Sequence, residues 1–483
     1  MSPSAIVEAV VKAAERYPDR AALIAGAEQV SFADLVRRAQ SAASYIARQT
    51  PEDNVGIFLP NSVQFPPQVL GALWAGKTVA ALPTLAPLPL LQLMFAEAKL
   101  ATVFTSEDLA PRLAEAGVPH IVIDTAYPPA PEFAPQPRKN EAAVLLYTSG
   151  TTGRPKAVAL SDENVISNAE GCMAATGFDD RQVMLAILPL FHAYGLNVTI
   201  LLPLMAGSTV VVLERFTTRA VLDAIERHRV TTLVAVPSQY RLLALDPTPC
   251  DASSLWLCIA GAERLPETTE REFTDRFGHA ILPGYGVTEV APVISLNIPE
   301  SNHPASVGRP LPNLKVTIRG EDDGICPIGE IGEVCVEGPN VMLGYLNDAE
   351  GTARKLRKGV YHTGDKGFFD TEGYLYLAGR ADEMVKIGGE KVYPSEVENA
   401  LERIGGVEEA AVIALPDAKG GVRLHAFVQR KSGASTDEAM LRSACRELLE
   451  PHKVPRSFTF VDSLPRTITG KTDKRSLTAV APQ

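Results

Sequence analysis

At 483 residues, with 46% hydrophobic and 21% charged residues, the chain is an ordinary globular protein long enough for two or more domains. A formal net charge of −11 argues against a nucleic-acid binder held by phosphate contacts, and the acidity is uneven: 31 basic against 42 acidic residues in 1–380, 15 against 15 in 381–483. Six cysteines with no CxxC pair and no secretory leader read as reduced thiols of a cytoplasmic protein, not as disulfides or a structural zinc site.

Met1 to Arg20 carries a helical pattern with charges of both signs, and Phe32 to Thr50 predicts a second helix before the strand Asn54 to Leu59. The uncharged stretch Thr78 to Phe95 holds Pro83, Pro87 and Pro89, which would leave backbone groups unpaired in lipid. It reads as a buried strand, a turn and a helix rather than a membrane span, which leaves only peripheral membrane contact open. Ala142 to Tyr147 and Ala157 to Leu160 read as buried strands joined in a hairpin-like connection. The loop between them, Thr148-Ser149-Gly150-Thr151-Thr152-Gly153-Arg154-Pro155-Lys156, gathers glycines, hydroxyls and one ammonium on a single turn. That mixture suits phosphate: glycines let backbone N–H groups approach closely, hydroxyls add donors, and Lys156 adds charge. It is not a Walker loop, because only two residues separate Gly150 from Gly153 and Ala157 stands where the magnesium-binding hydroxyl would be.

Gln182 to Leu213 is broken by Pro189, Gly195, Pro203 and Gly207 into strand, loop, helix and strand, and suits the wall of a deep apolar pocket. With the helix Val221 to His228 and the strand Thr231 to Val236 it extends an alternation that indicates parallel sheets covered by helices. From about Val307 closely spaced strands, Lys315 to Arg319 and Gly332 to Glu337 among them, predict a small β-rich lobe, and from Ala381 strand and helix alternate again. The expected fold is α/β: a large N-terminal domain of helix-covered sheets with a β-rich lobe, residues 1–380, then a smaller α+β domain, residues 381–483.

The loop at 147–156 resembles the nucleotide-binding signature of the acyl-adenylating superfamily that includes acyl-CoA synthetases, peptide-synthetase adenylation domains and luciferases. The rest of that family's set follows in order: Pro189-Leu190-Phe191-His192-Ala193-Tyr194-Gly195, Gly261-Ala262-Glu263, Gly284-Tyr285-Gly286-Val287-Thr288-Glu289, Tyr361-His362-Thr363-Gly364-Asp365, Gly379-Arg380-Ala381-Asp382-Glu383 and Thr469-Gly470-Lys471. The resemblance implies attack of a carboxylate on the α-phosphorus of ATP to give acyl-AMP and pyrophosphate, then thiol attack on the activated carbonyl. On that resemblance Lys471 supplies the movable cation, and Glu289, helped by Thr151, holds Mg²⁺. Tyr285 offers a face to adenine, flanked by Ala262, Gly284 and Gly286; Thr288 donates to the α-phosphate; Asp365 accepts the ribose hydroxyls, with Arg380 beside it. Lys386 joins the nucleotide set. Gly388 and Gly389 form the loop that admits the thiol, and the small domain is mobile about Asp382.

His192 is implied as gate of an acid pocket lined by Tyr194, Asn197, Val236, Ser238 and Gly261. Amino-acid-activating relatives carry an Asp just after the gate, where Ala193 stands here, so an α-amino acid is disfavoured. The small and apolar lining points to a hydrocarbon or aryl tail. The favoured reading is a ligase joining a medium- or long-chain fatty acid to CoA. The span Ala260 to Ser295 also resembles acyl-acyl-carrier-protein synthetases, so that activity, an aryl-acid CoA ligase and a carrier-loading adenylation module stay open. The acceptor is CoA or the phosphopantetheine of a carrier protein in trans, and the locally basic residues 451–475 suit either.

Overall fold

The computed structural model describes residues 3–123, 133–148, 155–303, 305–381, 383–387, 390–416, 422–431, 433–466 and 472–480. It is a mixed α/β protein of two compact units. The first comprises Met1–Ala262, Thr269–Val316 and Val336–Tyr361; the second comprises Glu263–Thr268, Thr317–Cys335 and His362–Gln483. Arg380, where the sequence suggests a boundary, thus lies inside the second unit. There Ser395 Oγ donates to Ala378 O at 2.8 Å and ties the strand Leu375–Arg380 to the helix Pro394–Glu402.

Two sheets build the first unit. One runs in the order Gly344–Tyr345, Lys156–Leu160, Val144–Thr148, Thr78–Ala81, Asn54–Phe58, Val103–Thr105 and His120–Val122; the last five strands are parallel. Val79, Ala80 and Ala81 are fully buried, as continuous apolar runs must be when helices cover both faces of a sheet. The second has nine strands, with parallel neighbours from Ala21–Ala25 through Thr209–Val212, Val183–Ala186, Thr232–Ala235 and Leu257–Ala260 to Leu282–Gly286.

The helix Asp162–Thr176 starts where Ser161 and Asn164 cap one another: Asn164 N donates to Ser161 Oγ at 3.1 Å and Ser161 N to Asn164 Oδ1 at 2.9 Å. It ends at Gly177, whose left-handed φ of 72° favours glycine. In the second unit, strands Val407–Pro416, Val422–Arg430 and Ser457–Val461 pack with helices Pro394–Glu402 and Glu438–Leu448 around Val397, Leu401, Val412, Val428 and Leu441. No helix among the described residues is long and apolar enough to cross a membrane.

Candidate active site

The hairpin expected around the phosphate loop is present: Val144–Thr148 and Lys156–Leu160 pair antiparallel, with Thr148 opposite Lys156. Ser149, Gly150, Thr151, Thr152 and Gly153 lie outside the described residues, as do Asp382, Gly388, Gly389 and Lys471. Lys156 Nζ pairs with Asp348 Oδ2 at 2.8 Å and sits 4.5 Å from the centre of the Tyr345 ring. The bond from Lys156 holds the Asp348 carboxyl below the usual carboxylate range.

Glu289 stands in a short 3₁₀ turn, Thr288–Val290, after the strand Leu282–Gly286 that carries Gly284, Tyr285 and Gly286. Gly286 is required there, because a Cβ would fall 2.3 Å from Pro292 O. Asn168, buried in the helix Asp162–Thr176, locks this turn: its Nδ2 donates to Val290 O at 3.1 Å and Val293 O at 2.8 Å, and its Oδ1 accepts from Val293 N at 3.3 Å. One turn earlier Asn164 Nδ2 donates to Pro339 O and Val341 O at 2.8 and 2.9 Å, holding the segment that leads to Tyr345. The Tyr345 hydroxyl in turn donates to Glu289 Oε1 at 2.7 Å. Lys156 and Glu289, 133 residues apart in sequence, therefore meet on one tyrosine. Burial, then the Glu289 charge, hold the Tyr345 phenol above its ordinary range, so it stays a donor.

Of the residues expected to line an acid pocket, Tyr194 and Asn197 sit on a π-helix, Tyr194–Leu201, in place of the regular helix expected from the sequence. His192 Nδ1 accepts from Tyr194 N at 3.2 Å. The Tyr194 ring lies against Gly261, where a Cβ would come 2.8 Å from its hydroxyl oxygen. Ala262 follows with a left-handed φ of 71°. Asn197 Nδ2 donates to Ala291 O at 3.3 Å, linking the pocket to the Glu289 turn. Val236 precedes the helix Pro237–Leu245 that carries Ser238 in its first turn, both half-buried. The wall is less apolar than the sequence suggests: the Tyr194 hydroxyl and Asn197 Oδ1 are buried and find no hydrogen-bond partner among the described residues.

In the second unit Asp365 and Arg380 are cross-strand neighbours and pair at 3.1 Å. Their turn is held by Glu333 and Cys335, which the sequence motifs do not single out. Gly364 N donates to Glu333 Oε1 at 3.0 Å, and the His362 ring approaches Glu333 Oε2 at 3.2 Å and Cys335 Sγ at 3.4 Å. Burial pushes the Cys335 thiol up to about 12. Lys386 stands exposed on the strand Val385–Ile387. The basic appearance of 451–475 is largely cancelled: Lys453 pairs with Glu396 and Glu450, Arg466 with Glu409, and Lys474 with Glu383 and Glu398. Arg423, Arg442, Arg446 and Arg456 line a cavity of about 530 Å³ that reaches Ile387, with Arg442 also paired to Glu438.

Comparison with known proteins agrees over nearly the whole length. The AMP-binding enzyme family matches residues 10–346 and the AMP-binding enzyme C-terminal domain residues 396–471. A long-chain-fatty-acid–CoA ligase of Bacillus subtilis (strain 168) is 31% identical, covering 96% of this chain and 92% of that protein. A feruloyl-CoA synthase of Amycolatopsis sp is 34% identical over 95% and 96%. ATP-bound MatB from Rhodopseudomonas palustris superposes with a TM-score of 0.90 at 30% identity over 98% of both chains. With both family models matched and the fold shared over nearly its whole length, the chain belongs to the AMP-binding enzyme family and is an acid–thiol ligase.

Proposed function

We propose that the chain activates a carboxylic acid with ATP and passes the acyl group to CoA. The acid's carboxylate oxygen bonds to the α-phosphorus as pyrophosphate leaves; the CoA sulfur then bonds to the acyl carbon, its proton is lost and AMP leaves. The observation that carries this reading is the meeting of Lys156 and Glu289 on Tyr345, which joins the cation of the phosphate loop to a hard carboxylate. Glu289 offers oxygen ligands of the kind Mg²⁺ prefers, with Thr151 as helper, and the bound ion would neutralise charge on the phosphates. Asp365 and Arg380 suit the ribose; Tyr285, Ala262, Gly284 and Gly286 suit the adenine; Thr288 suits the α-phosphate, with Lys386 and Lys471 as further cations. Rotation about Asp382 would replace Lys471 by the Gly388–Gly389 loop between the two steps. CoA is the acceptor that the arginine-lined cavity favours, since guanidinium forks match phosphate and Ile387 directly precedes the thiol loop.

The sequence favours a medium- or long-chain fatty acid. The unpartnered Tyr194 hydroxyl and Asn197 Oδ1 favour a second reading, an aryl acid whose tail carries a hydrogen-bonding group, as the matched feruloyl-CoA synthase would use. A panel of saturated C6–C18 acids and hydroxylated or unsubstituted cinnamates, each offered CoA, holo carrier protein or pantetheine, decides both questions. A hydrocarbon tunnel gives kcat/KM rising by about fourfold per methylene, the equivalent of about 0.8 kcal/mol, until it is full. A hydroxylated pocket gives preference for the phenolic acid that Tyr194→Phe removes. Efficient transfer to carrier with negligible turnover on CoA would reject the acceptor assignment.

A further inference from the structure

We propose that Tyr345 is a positioning residue that sets Glu289 and Lys156 at once, its hydroxyl aiming the carboxylate and its ring seating the ammonium. The inference rests on the adenylating role of those two residues argued above. Tyr345 lies in the strand Gly344–Tyr345, which pairs with the loop-bearing strand so that Tyr345 stands opposite Val158, two residues from Lys156. Its ring is thus presented to Nζ at 4.5 Å while its hydroxyl reaches Glu289 Oε1 at 2.7 Å. Behind it stands the Tyr361 phenol, almost fully buried, close enough for the two rings and the Glu289 carboxylate to influence one another electrostatically. Asp348, three residues on, takes the Lys156 ammonium at 2.8 Å and holds it over the ring. A carboxylate that receives one fixed hydrogen bond on Oε1 is oriented in its plane, which leaves Oε2 with a defined direction for a hard cation. The same side chain thereby sets the distance between the positive and negative groups that must share the phosphates.

The test is a double-mutant cycle read by metal binding rather than by turnover. Mn²⁺, which takes the same oxygen donors as Mg²⁺, is titrated against enzyme saturated with a non-hydrolysable ATP analogue and followed by electron paramagnetic resonance. Tyr345→Phe, which keeps the ring and removes the hydroxyl, is expected to weaken Mn²⁺ binding about tenfold in the native background and less than twofold in Glu289→Gln. Equal weakening in both backgrounds, or none in the native one, overturns the proposal. If Glu289→Gln itself leaves Mn²⁺ binding unchanged, Glu289 holds no metal and the proposal fails with that assignment. If native enzyme takes up no Mn²⁺ with the analogue, the adenylation reading fails as well. Tyr345→Leu, which removes the ring too, is expected to weaken the metal-free analogue several-fold where Phe does not. Matching affinities for the Leu and Phe variants overturn the ring's part. Thermal midpoints establish that each variant is folded, and the Phe cycle stands on its own if the Leu variant is not.

Discussion

Burial pushes the Glu402 carboxyl up from 4.5 to about 7, against the pull of Arg264 at 3.1 Å. The folded chain therefore holds this proton more tightly than the unfolded one. That stabilisation is complete below about pH 4.5 and is lost as pH rises through about 7. Glu402→Gln keeps an acceptor for the Ala410 N–H and removes the buried charge. It is expected to flatten stability across that window and, where the linkage gain of about 1.4 kcal/mol per pKa unit exceeds the loss of the Arg264 pair, to raise the urea midpoint near pH 8. A midpoint that falls instead would mark the Arg264 pair as net stabilising. Residues of this kind were not legible in the sequence. Glu289 and Asp365 announce themselves by fixed company in a short run, whereas Glu402, Glu333 and Tyr345 act through partners more than 25 residues away. Asn164 and Asn168 do leave a trace, since two amides one turn apart on a helix share a face, but only the fold shows that the face is buried.

In the proposed mechanism, the turn between Leu282–Gly286 and Val293–Leu296 is the element on which the phosphate chemistry most directly depends. Gly286→Ala places a methyl 2.3 Å from a backbone carbonyl, which cannot move as a flexible side chain would. The strands must part or the turn must open, at a cost of about 1–3 kcal/mol. Because Glu289 rides on that turn, pyrophosphate-forming activity is expected to fall at least tenfold while conversion of supplied acyl-AMP to thioester is largely kept. Equal loss in both half-reactions would mean that Gly286 serves general folding. At this scale much was readable: the hairpin around the phosphate loop, the apolar strands Thr209–Val212 and Thr232–Ala235, and the helix Phe32–Gln49 follow from runs of β-branched residues and a 3.6-residue period. The π-helix was not, because its apolar run is uniform and carries no period that separates it from a regular helix.

For the whole molecule, the chain passes between the two units five times, at 262/263, 268/269, 316/317, 335/336 and 361/362. Local texture cannot reveal such crossings, which is why strand spacing alone suggests a single cut near Arg380. Among the described residues, the hydrophobic clusters around Val412 and Phe427 nevertheless draw on residues 385–477. A fragment of residues 381–483 is expected to fold by itself, with one cooperative urea transition and the circular dichroism of a mixed α/β domain. A broad, non-cooperative transition would show that its core needs the earlier segments. The π-helix has a consequence of a different order. Its i to i+5 bonding accommodates one residue more than a regular helix closing the same gap, between strands Val183–Ala186 and Thr209–Val212 that are themselves paired in the sheet. Loss of a single residue there could be absorbed by tightening to regular pitch without shifting either strand. A deletion between Tyr194 and Asn197 would turn one by roughly 100° relative to the other. If Tyr194 and Asn197 line the acid pocket as proposed, a one-residue deletion would recast both at once, a change that no series of point substitutions in the pocket would reproduce.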